Sequence, residues 1–486
     1  MVKLQTDDIQ GMILTGYGHL LFSKYLFLHI TEAEKAKVWL KTIAPQITTA
    51  NWKKGANGKV EKPPFALNIA FTYPGLEKLG LPPESLKTFP PEFIEGMGQA
   101  QRSQQLGDLD ASDPTKWEFG SPTAPAIHSL LILQSADEKT LKTLCQKYQA
   151  QMNSSQGLQL IHWEDGYIPE DSKEHFGFRD SIAQPEIEGS PKPTTNQDWV
   201  KAGEFILGYK NEDGNFPPTP TVHANADPYK MLQPVGNASK TALKDLGGNG
   251  SYLVFRKIYQ DVAGFRRYFR DNFIDPAEQA LMAAKTVGRW PSGAPLTLAP
   301  HQDNDPSLQQ APQNNTFLYM DTDSHGYACP MASHIRRTNP RDSLGEDPQA
   351  SLKNVNRRRI IRRGAVYGPR LAEGVFEDDQ AARGLLFICI NANIRSQFEF
   401  IQQQWVNNAH FGGTYNDKDP LIGINSSEQS CRQMTIPHVP VRQKLTHLPN
   451  FVAVKGGGYF FLPSKSALYF LAGAATVQRA RSLSDT

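Results

Sequence analysis

The chain has 486 residues, enough for two or three domains with sizeable cores. Its 51 basic and 49 acidic side chains nearly cancel, which removes any electrostatic reason to expect nucleic acid or an anionic membrane as a partner. No run reaches the about 18 uninterrupted apolar residues of a membrane span; the nearest, GYFFLPSKSALYFLAGAA, is broken by Pro463, Lys465 and serines.

In chain order, periodicity predicts a strand at 25–30 (YLFLHI), a helix at 32–43, a strand at 65–73 and, after a long insertion, a strand at 126–135. A helix follows with Leu141, Leu144, Cys145, Tyr148 and Met152 at helical spacing, then a strand at LQLIHWED. That order is βαββαβ, the ferredoxin-like unit. The second half repeats the theme: strand SYLVFRKIY, helices across DVAGFRRYFRDNF and PAEQALMAAKTVGRW, strands near IIRRG and at GLLFICINA, helix NIRSQFEFIQQQWVNN, and closing strand FVAVKGGGYFFLPS. The expectation is an α+β chain of two ferredoxin-like domains with antiparallel sheets, residues 1–215 and 216–486. The boundary falls in a Pro-, Asn-, Asp- and Gly-rich stretch from GSPKPTTNQDW to NEDGNFPPTPTVHANADP. A second irregular region, PHQDNDPSLQQAPQNNTF, precedes His334 and is expected to enclose one side of a ligand site.

The N-terminus MVKLQTDDIQGMIL has neither a secretory pattern nor a twin-arginine pair, so cytoplasmic residence is the expectation. The four cysteines, Cys145, Cys329, Cys389 and Cys431, are scattered, form no CxxC or CxxCH, and are expected to be reduced or buried. The short polar end ARSLSDT reads as a frayed tail.

Three segments carry the chemistry. FGFRDSIAQPEIE (176–188) sets Asp180 in a Gly- and Pro-bounded turn among apolar neighbours, where a carboxylate reads first as an Asx-type cap and second as a proton-transfer group. SHIRRTNPR follows His334, one of twelve histidines, with Arg336, Arg337 and Arg341, cations suited to the carboxylates of an acidic cofactor. RRIIRRGAVYG offers Arg362 and Arg363, and spacing alone does not say which faces a site. Asp, His and Arg are the distal acid/base, axial ligand and distal cation that a haem peroxidase needs.

With these segments, DIQGMILTGY, GMGQAQRSQQLGDL, GEFILGY, GSYLVFRKIYQDV, GRWPSGAPL and GGGYFFLPS occur in an order that resembles the dye-decolourising peroxidases from about residue 8 to 463. The resemblance implies two ferredoxin-like halves with haem b held by the C-terminal half, one per chain and non-covalent, since no CxxCH is present. It makes His334 the axial ligand, Asp180 the proton-transfer group and Arg362, the first of its pair, the distal cation. Arg336 and Arg341 are the expected propionate partners, and Leu385 and Phe387 the apolar distal wall. Glu399 lies beside the helical stripe Ile394, Phe398, Ile401 and Trp405 and is the candidate acceptor for the other N–H of His334. The family's turn is usually GxxDG, whereas Ser181 follows Asp180 here; if that position needs φ > 0, serine costs on the order of 1 kcal/mol.

The activity so implied is reduction of hydrogen peroxide through an oxyferryl intermediate (Compound I), with oxidation of dyes, phenolic compounds or other small reductants. A carboxylate base implies an acidic optimum. Reductants too bulky for a peroxide-sized pocket would use a surface relay, for which Tyr367 and Trp405 are nearest in sequence to the expected haem contacts. No nucleic acid or membrane partner is expected, and the chain is expected to be a monomer or homodimer. The alternatives are a haem carrier or sensor, oxygen transfer or iron release on the same scaffold, and a haem-free interaction module.

Overall fold

The computed structural model describes residues 2–52, 61–190, 199–237, 242–424 and 432–473. The expected boundary stretch therefore lies partly outside the described residues (191–198), as do Cys431 and the tail 480–486. The long apolar alternations form strands β1 (Phe22–Ile30), β2 (Phe65–Phe71), β3 (Ser129–Ser135), β4 (Leu158–Tyr167), β5 (Ser251–Gln260), β6 (Ile361–Arg362), β7 (Ala365–Tyr367), β8 (Gly384–Asn391) and β9 (Val452–Leu462). The expected strand at 65–73 stops at Phe71 because the Thr72 hydroxyl accepts the N–H of Gly75 and caps a short helix, Tyr73–Lys78, with Pro74 in its first turn.

Both halves have the ferredoxin-like order. In the first, the strands run β4-β1-β3-β2; in the second, β9-β5-β8-β7, with β6 and β7 two pieces of one strand in the same register on β8. The halves join edge to edge through Val366↔Tyr167 and Phe461↔Phe71, one residue pair at each seam, so the antiparallel sheets close into one barrel.

Period-two alternation sorts the side chains. Tyr25, Phe27, Phe255, Leu386 and Phe460 fill the barrel, with Phe27 4.4 Å from Phe119 and 5.3 Å from Phe255 between ring centroids. Their neighbours Leu26, Leu28, Val254 and Phe461 face outward. On the first half that outer face is covered by α1 (Ala33–Ile43) and α2 (Glu138–Ser155), and the α2 stripe Leu141, Leu144, Cys145, Tyr148 and Met152 is buried as its spacing predicts. Beyond β5 the chain forms α3 (Val262–Asn272) and α4 (Pro276–Val287), capped by Asp261 and Asp275. Gly288 ends α4 at φ +100°, and a Cβ there would stand 2.4 Å from Ile335, so glycine is what lets α5 (His334–Thr338) pack against α4. Cys145, Cys329 and Cys389 are free and buried. Among the described residues no helix is long and apolar enough to cross a membrane.

One part of the barrel interior is ionic. Lys257 Nζ donates to Glu118 Oε2 at 2.6 Å and to the buried Glu164 Oε1 at 2.7 Å, which also meets His162 Nε2 at 2.7 Å. Burial works to lower the Lys257 pKa, but the two carboxylates outweigh it and the pKa is raised. The stabilisation is therefore complete below the unfolded lysine pKa of about 10.4 and is lost only as pH rises through the higher folded value. Lys257→Met leaves buried Glu164 without its cation and with only His162 beside it, so it should destabilise the fold by about 3–5 kcal/mol in urea unfolding, by an amount constant between about pH 7 and 9. An unchanged midpoint would show that the pair contributes nothing.

Candidate active site

The outer face of β5, β8 and β9 carries Arg256, Ile258, Leu385, Phe387, Val452 and Val454, and these form one wall of a cavity of about 270 Å³. His334, Asp180 and Arg362 all line it, so the three segments singled out in the sequence converge. His334 is the first residue of α5, and its Nδ1 lies 2.9 Å from Asp419 Oδ2. An ionised carboxylate only accepts, so Nδ1 carries the proton of this bond and Nε2 is the ring nitrogen left for a ligand. Asp419 is fully buried and also accepts the N–H groups of Leu421 and Ile422, both at 2.9 Å. Burial works to raise its pKa, but the His334 ring and the two N–H donors prevail and hold the carboxyl below its usual value.

Glu399 is not the partner of His334. Its carboxylate is buried elsewhere, accepting from Arg102 Nη1 at 2.8 Å and Tyr459 Oη at 2.7 Å. The reason is helix winding: residues 395–406 form wide π-turns, with Glu399 N bonded to Ile394 O and Asn407 N to Gln402 O, and Phe398 and Gln402 face the cavity instead. Asp419 was missed because it is 85 residues from His334; its one local signal is an Asp-Pro step followed by N–H groups free to bond back to the carboxylate.

Asp180 Oδ1 lies 3.1 Å from Arg362 Nη2. Ser181 has φ +64°, the conformation a glycine would take without strain, and its backbone N–H, rather than its hydroxyl, donates to Asp180 Oδ1 at 2.5 Å. The turn is held from behind by half-buried Glu174, which accepts from Phe176 N and Phe178 N at 2.9 Å each and from Gln260 Nε2 of β5 at 2.6 Å. Successive strand residues point to opposite sides, so Arg362 reaches the cavity, whereas Arg363 binds the carbonyls of Met12 and Ile13. Leu385 and Phe387 flank the cavity.

Arg336 and Arg341 do not reach the cavity wall. Arg336 is spent on Asp323 and the Cys329 carbonyl, and Arg341 on Asn315 and the Phe317 carbonyl, so these cations lock the irregular loops before α5. Four arginines line the cavity: Arg256 pairs with Asp108 and Arg362 with Asp180, which leaves Arg179 and Arg289 without a carboxylate partner among the described residues. Arg179 Nη1 donates to Gln309 O, which places the irregular segment before His334 against the site as expected. Buried Arg289 donates only to the carbonyls of Gly293 and Asn314, has no carboxylate partner among the described residues, and is pushed down to about 9 by burial and then by Arg341. An apolar cavity with an imidazole nitrogen left for a ligand and an uncompensated buried cation fits a flat, propionate-bearing haem.

Two further expectations fail. Tyr367 is 6% exposed and Trp405 4%, so neither offers its ring to a surface reductant. The exposed Trp and Tyr among the described residues include Trp163, Tyr229, Tyr327 and Tyr415. Nor is the Asp180 side limited to a peroxide-sized space. A cleft of about 600 Å³ adjoins the cavity and shares Arg179, Asp180, Arg362, Leu385 and Phe387 with it, while His334 lies outside the cleft.

Residues 8–162 match the family described as the DyP dimeric alpha+beta barrel domain. The dye-decolorizing peroxidase AauDyP1 of Auricularia auricula-judae is 31% identical over 485 residues, covering 96% of this chain and 86% of that protein. The crystal structure of a fungal DyP-type peroxidase from Auricularia auricula-judae superposes with a TM-score of 0.78 at 30% identity, over 98% of this chain and 100% of the other. A dye-decolorizing peroxidase in complex with 2,6-dimethoxyphenol gives a TM-score of 0.77 at 28% identity, over 96% and 100%. The chain belongs to the dye-decolorizing peroxidase family.

Proposed function

We propose that this protein is a haem peroxidase that reduces hydrogen peroxide in the cavity and oxidises dyes, phenolic compounds or other small reductants. The observation that carries the reading is that one apolar cavity is lined both by the His334–Asp419 pair and by the Asp180–Arg362 pair, the latter where the cavity meets the cleft. Haem b, one per chain, would supply the iron that binds peroxide and exchanges electrons. No cysteine lines the cavity among the described residues, which supports a non-covalent fit, with Arg289 and Arg179 as counter-charges for the propionates.

Each side chain then has a distinct task. His334 would hold the iron through Nε2, and Asp419, by accepting the Nδ1 proton, makes the ring more basic. Asp180 takes the proton from one peroxide oxygen and returns it to the departing one, and a carboxylate remains a base well below neutral pH. Arg362, beside Asp180, stabilises the negative charge that develops on the leaving oxygen. Two reductant molecules give one electron and one proton each, so that one peroxide becomes two waters. The cleft gives those reductants a direct approach. The cis arrangement of base and cation on one wall is what separates this reading from a carrier, which needs only the ligand.

Asp180→Asn should slow the reaction of the haem-loaded protein with hydrogen peroxide by about 100-fold or more at pH 5, with the resting haem spectrum unchanged. Stopped-flow absorbance reads this, and a rate equal to wild type would remove Asp180 from the mechanism. Asp419→Asn should weaken haem binding by about 10–100-fold in a spectroscopic titration, while Glu399→Gln, whose side chain does not meet His334, should bind haem far more nearly as wild type does. The reverse order would restore Glu399 as the imidazole's partner.

A further inference from the structure

The cleft contains a charge that the peroxide chemistry leaves unused. Arg363 lines it, next in sequence to Arg362, and every acceptor it meets is a neutral carbonyl: Met12 O from Nε at 2.6 Å, Arg362 O from Nη1 at 3.1 Å and Ile13 O from Nη2 at 3.0 Å. A guanidinium has five N–H donors, so one on each terminal nitrogen is left over. No carboxylate of the described residues lies within ion-pair distance of it, and burial pushes its pKa down to about 10. Three carboxylates line the cleft: Asp180 pairs with Arg362, Glu174 accepts from Phe176, Phe178 and Gln260, and Glu186 makes no ion pair with Arg363.

The wall beside Arg363 is also cut back. Gly16 and Gly18 line the cleft, and a Cβ built on Gly16 would stand 3.5 Å from Arg363 Nη1, ordinary contact distance. The missing side chain thus leaves room directly over the guanidinium. Arg363 is half-buried, and a partly desolvated cation without a counter-ion is a cost to the free protein that an anionic ligand reduces. At about 600 Å³ the cleft holds a small aromatic molecule.

We propose that this cleft binds aromatic reductants that bear a carboxylate or sulfonate, with the anion on Arg363 over Gly16 and the phenolic ring directed toward the Asp180–Arg362 mouth of the cavity. This rests on the peroxidase reading and adds the substrate class: anionic phenols are selected over neutral ones by a charge-assisted, two-donor contact. The phenol oxygen loses one electron and one proton per molecule, and two such molecules reduce one hydrogen peroxide to two waters, so the anion is an anchor and is not consumed.

The test uses haem-loaded full-length protein and three probes: 4-hydroxy-3-methoxycinnamate, its methyl ester, and 4-hydroxybenzenesulfonate. Calorimetric titration without peroxide should show the two anions binding about tenfold or more tighter than the ester. Arg363→Gln should erase that difference. Because Arg363 also holds the backbone at Met12 and Ile13, a second variant, Gly16→Asp, keeps Arg363 and its carbonyl contacts and sets a carboxylate over the guanidinium; it too should erase the preference. In steady-state turnover the same variants should raise KM for the anions with little change in kcat. Equal affinity of anions and ester in the wild type, or a preference that survives Gly16→Asp, overturns the proposal. If no probe is oxidised while the anion preference and its loss in Gly16→Asp stand, the peroxidase reading fails and the binding site does not.

Discussion

The closed barrel imposes one constraint on everything else: in each strand, successive side chains must go to opposite sides of one continuous sheet. Arg256 faces outward, where it pairs with Asp108 beside the cavity, while Lys257 faces inward to Glu118 and Glu164. Leu385 and Phe387 look onto the cavity, while Leu386 and Ile388 fill the barrel. Arg362 and Arg363 diverge by the same rule. Closure also fixes the register, because a one-residue slip would carry Lys257 to the outer face and the apolar cavity wall to the inside. The site is thus the outer surface of the second half's sheet, enclosed by α5, the π-wound helix and the loop that carries Asp180.

The arginines divide according to what satisfies them. Arg336, Arg337 and Arg341 are buried and bonded largely to backbone carbonyls of irregular segments, so each replaces the secondary structure those loops lack. Arg179, Arg289, Arg362 and Arg363 border open space, and only Arg362 has a carboxylate partner within ion-pair distance among the described residues. A cation that is buried, bonded to neutral oxygens and open on one side keeps most of its desolvation cost until an anion arrives. Among the described residues Arg289, buried at the cavity, is such a place and Arg363, half-buried at the cleft, is a milder one, which suits a negatively charged cofactor in the first and a negatively charged reductant in the second.

Much of this was legible in the sequence. Every long strand and the stripe on α2 follow from periodicity, because their apolar residues meet neighbours set by local geometry. Asp180, His334 and Arg362 stand in short segments whose composition already suggests chemistry. Barrel closure was not legible, since it depends on the pairings Val366↔Tyr167 and Phe461↔Phe71 between residues hundreds apart. The role given to Glu399 assumed 3.6 residues per turn, and π-winding turned that position toward Arg102. Arg336 and Arg341 were read as cofactor partners because they follow His334, yet adjacency in sequence does not bring a side chain to the same cavity. Tyr367 and Trp405 show the same limit: nearness to site residues along the chain carries no information about exposure.

The Asp180 turn shows why a strained position persists. Ser181 at φ +64° costs on the order of 1 kcal/mol relative to glycine. Against that stand the two backbone N–H groups that Glu174 accepts and its bond from Gln260, each with a net worth of about 1 kcal/mol, more where the acceptor is charged. The same left-handed turn aims the Ser181 N–H at Asp180 Oδ1, so the strained conformation itself supplies a donor to the carboxylate. Burial raises the Glu174 pKa despite its donors, with nearby Asp180 adding to the effect, so the clamp lies behind the base as a less acidic carboxyl rather than as a competing one. Asp180 is thereby left as the carboxylate that meets Arg362 at the junction of cavity and cleft, where the proposed proton transfer and the approach of a reductant from outside would coincide.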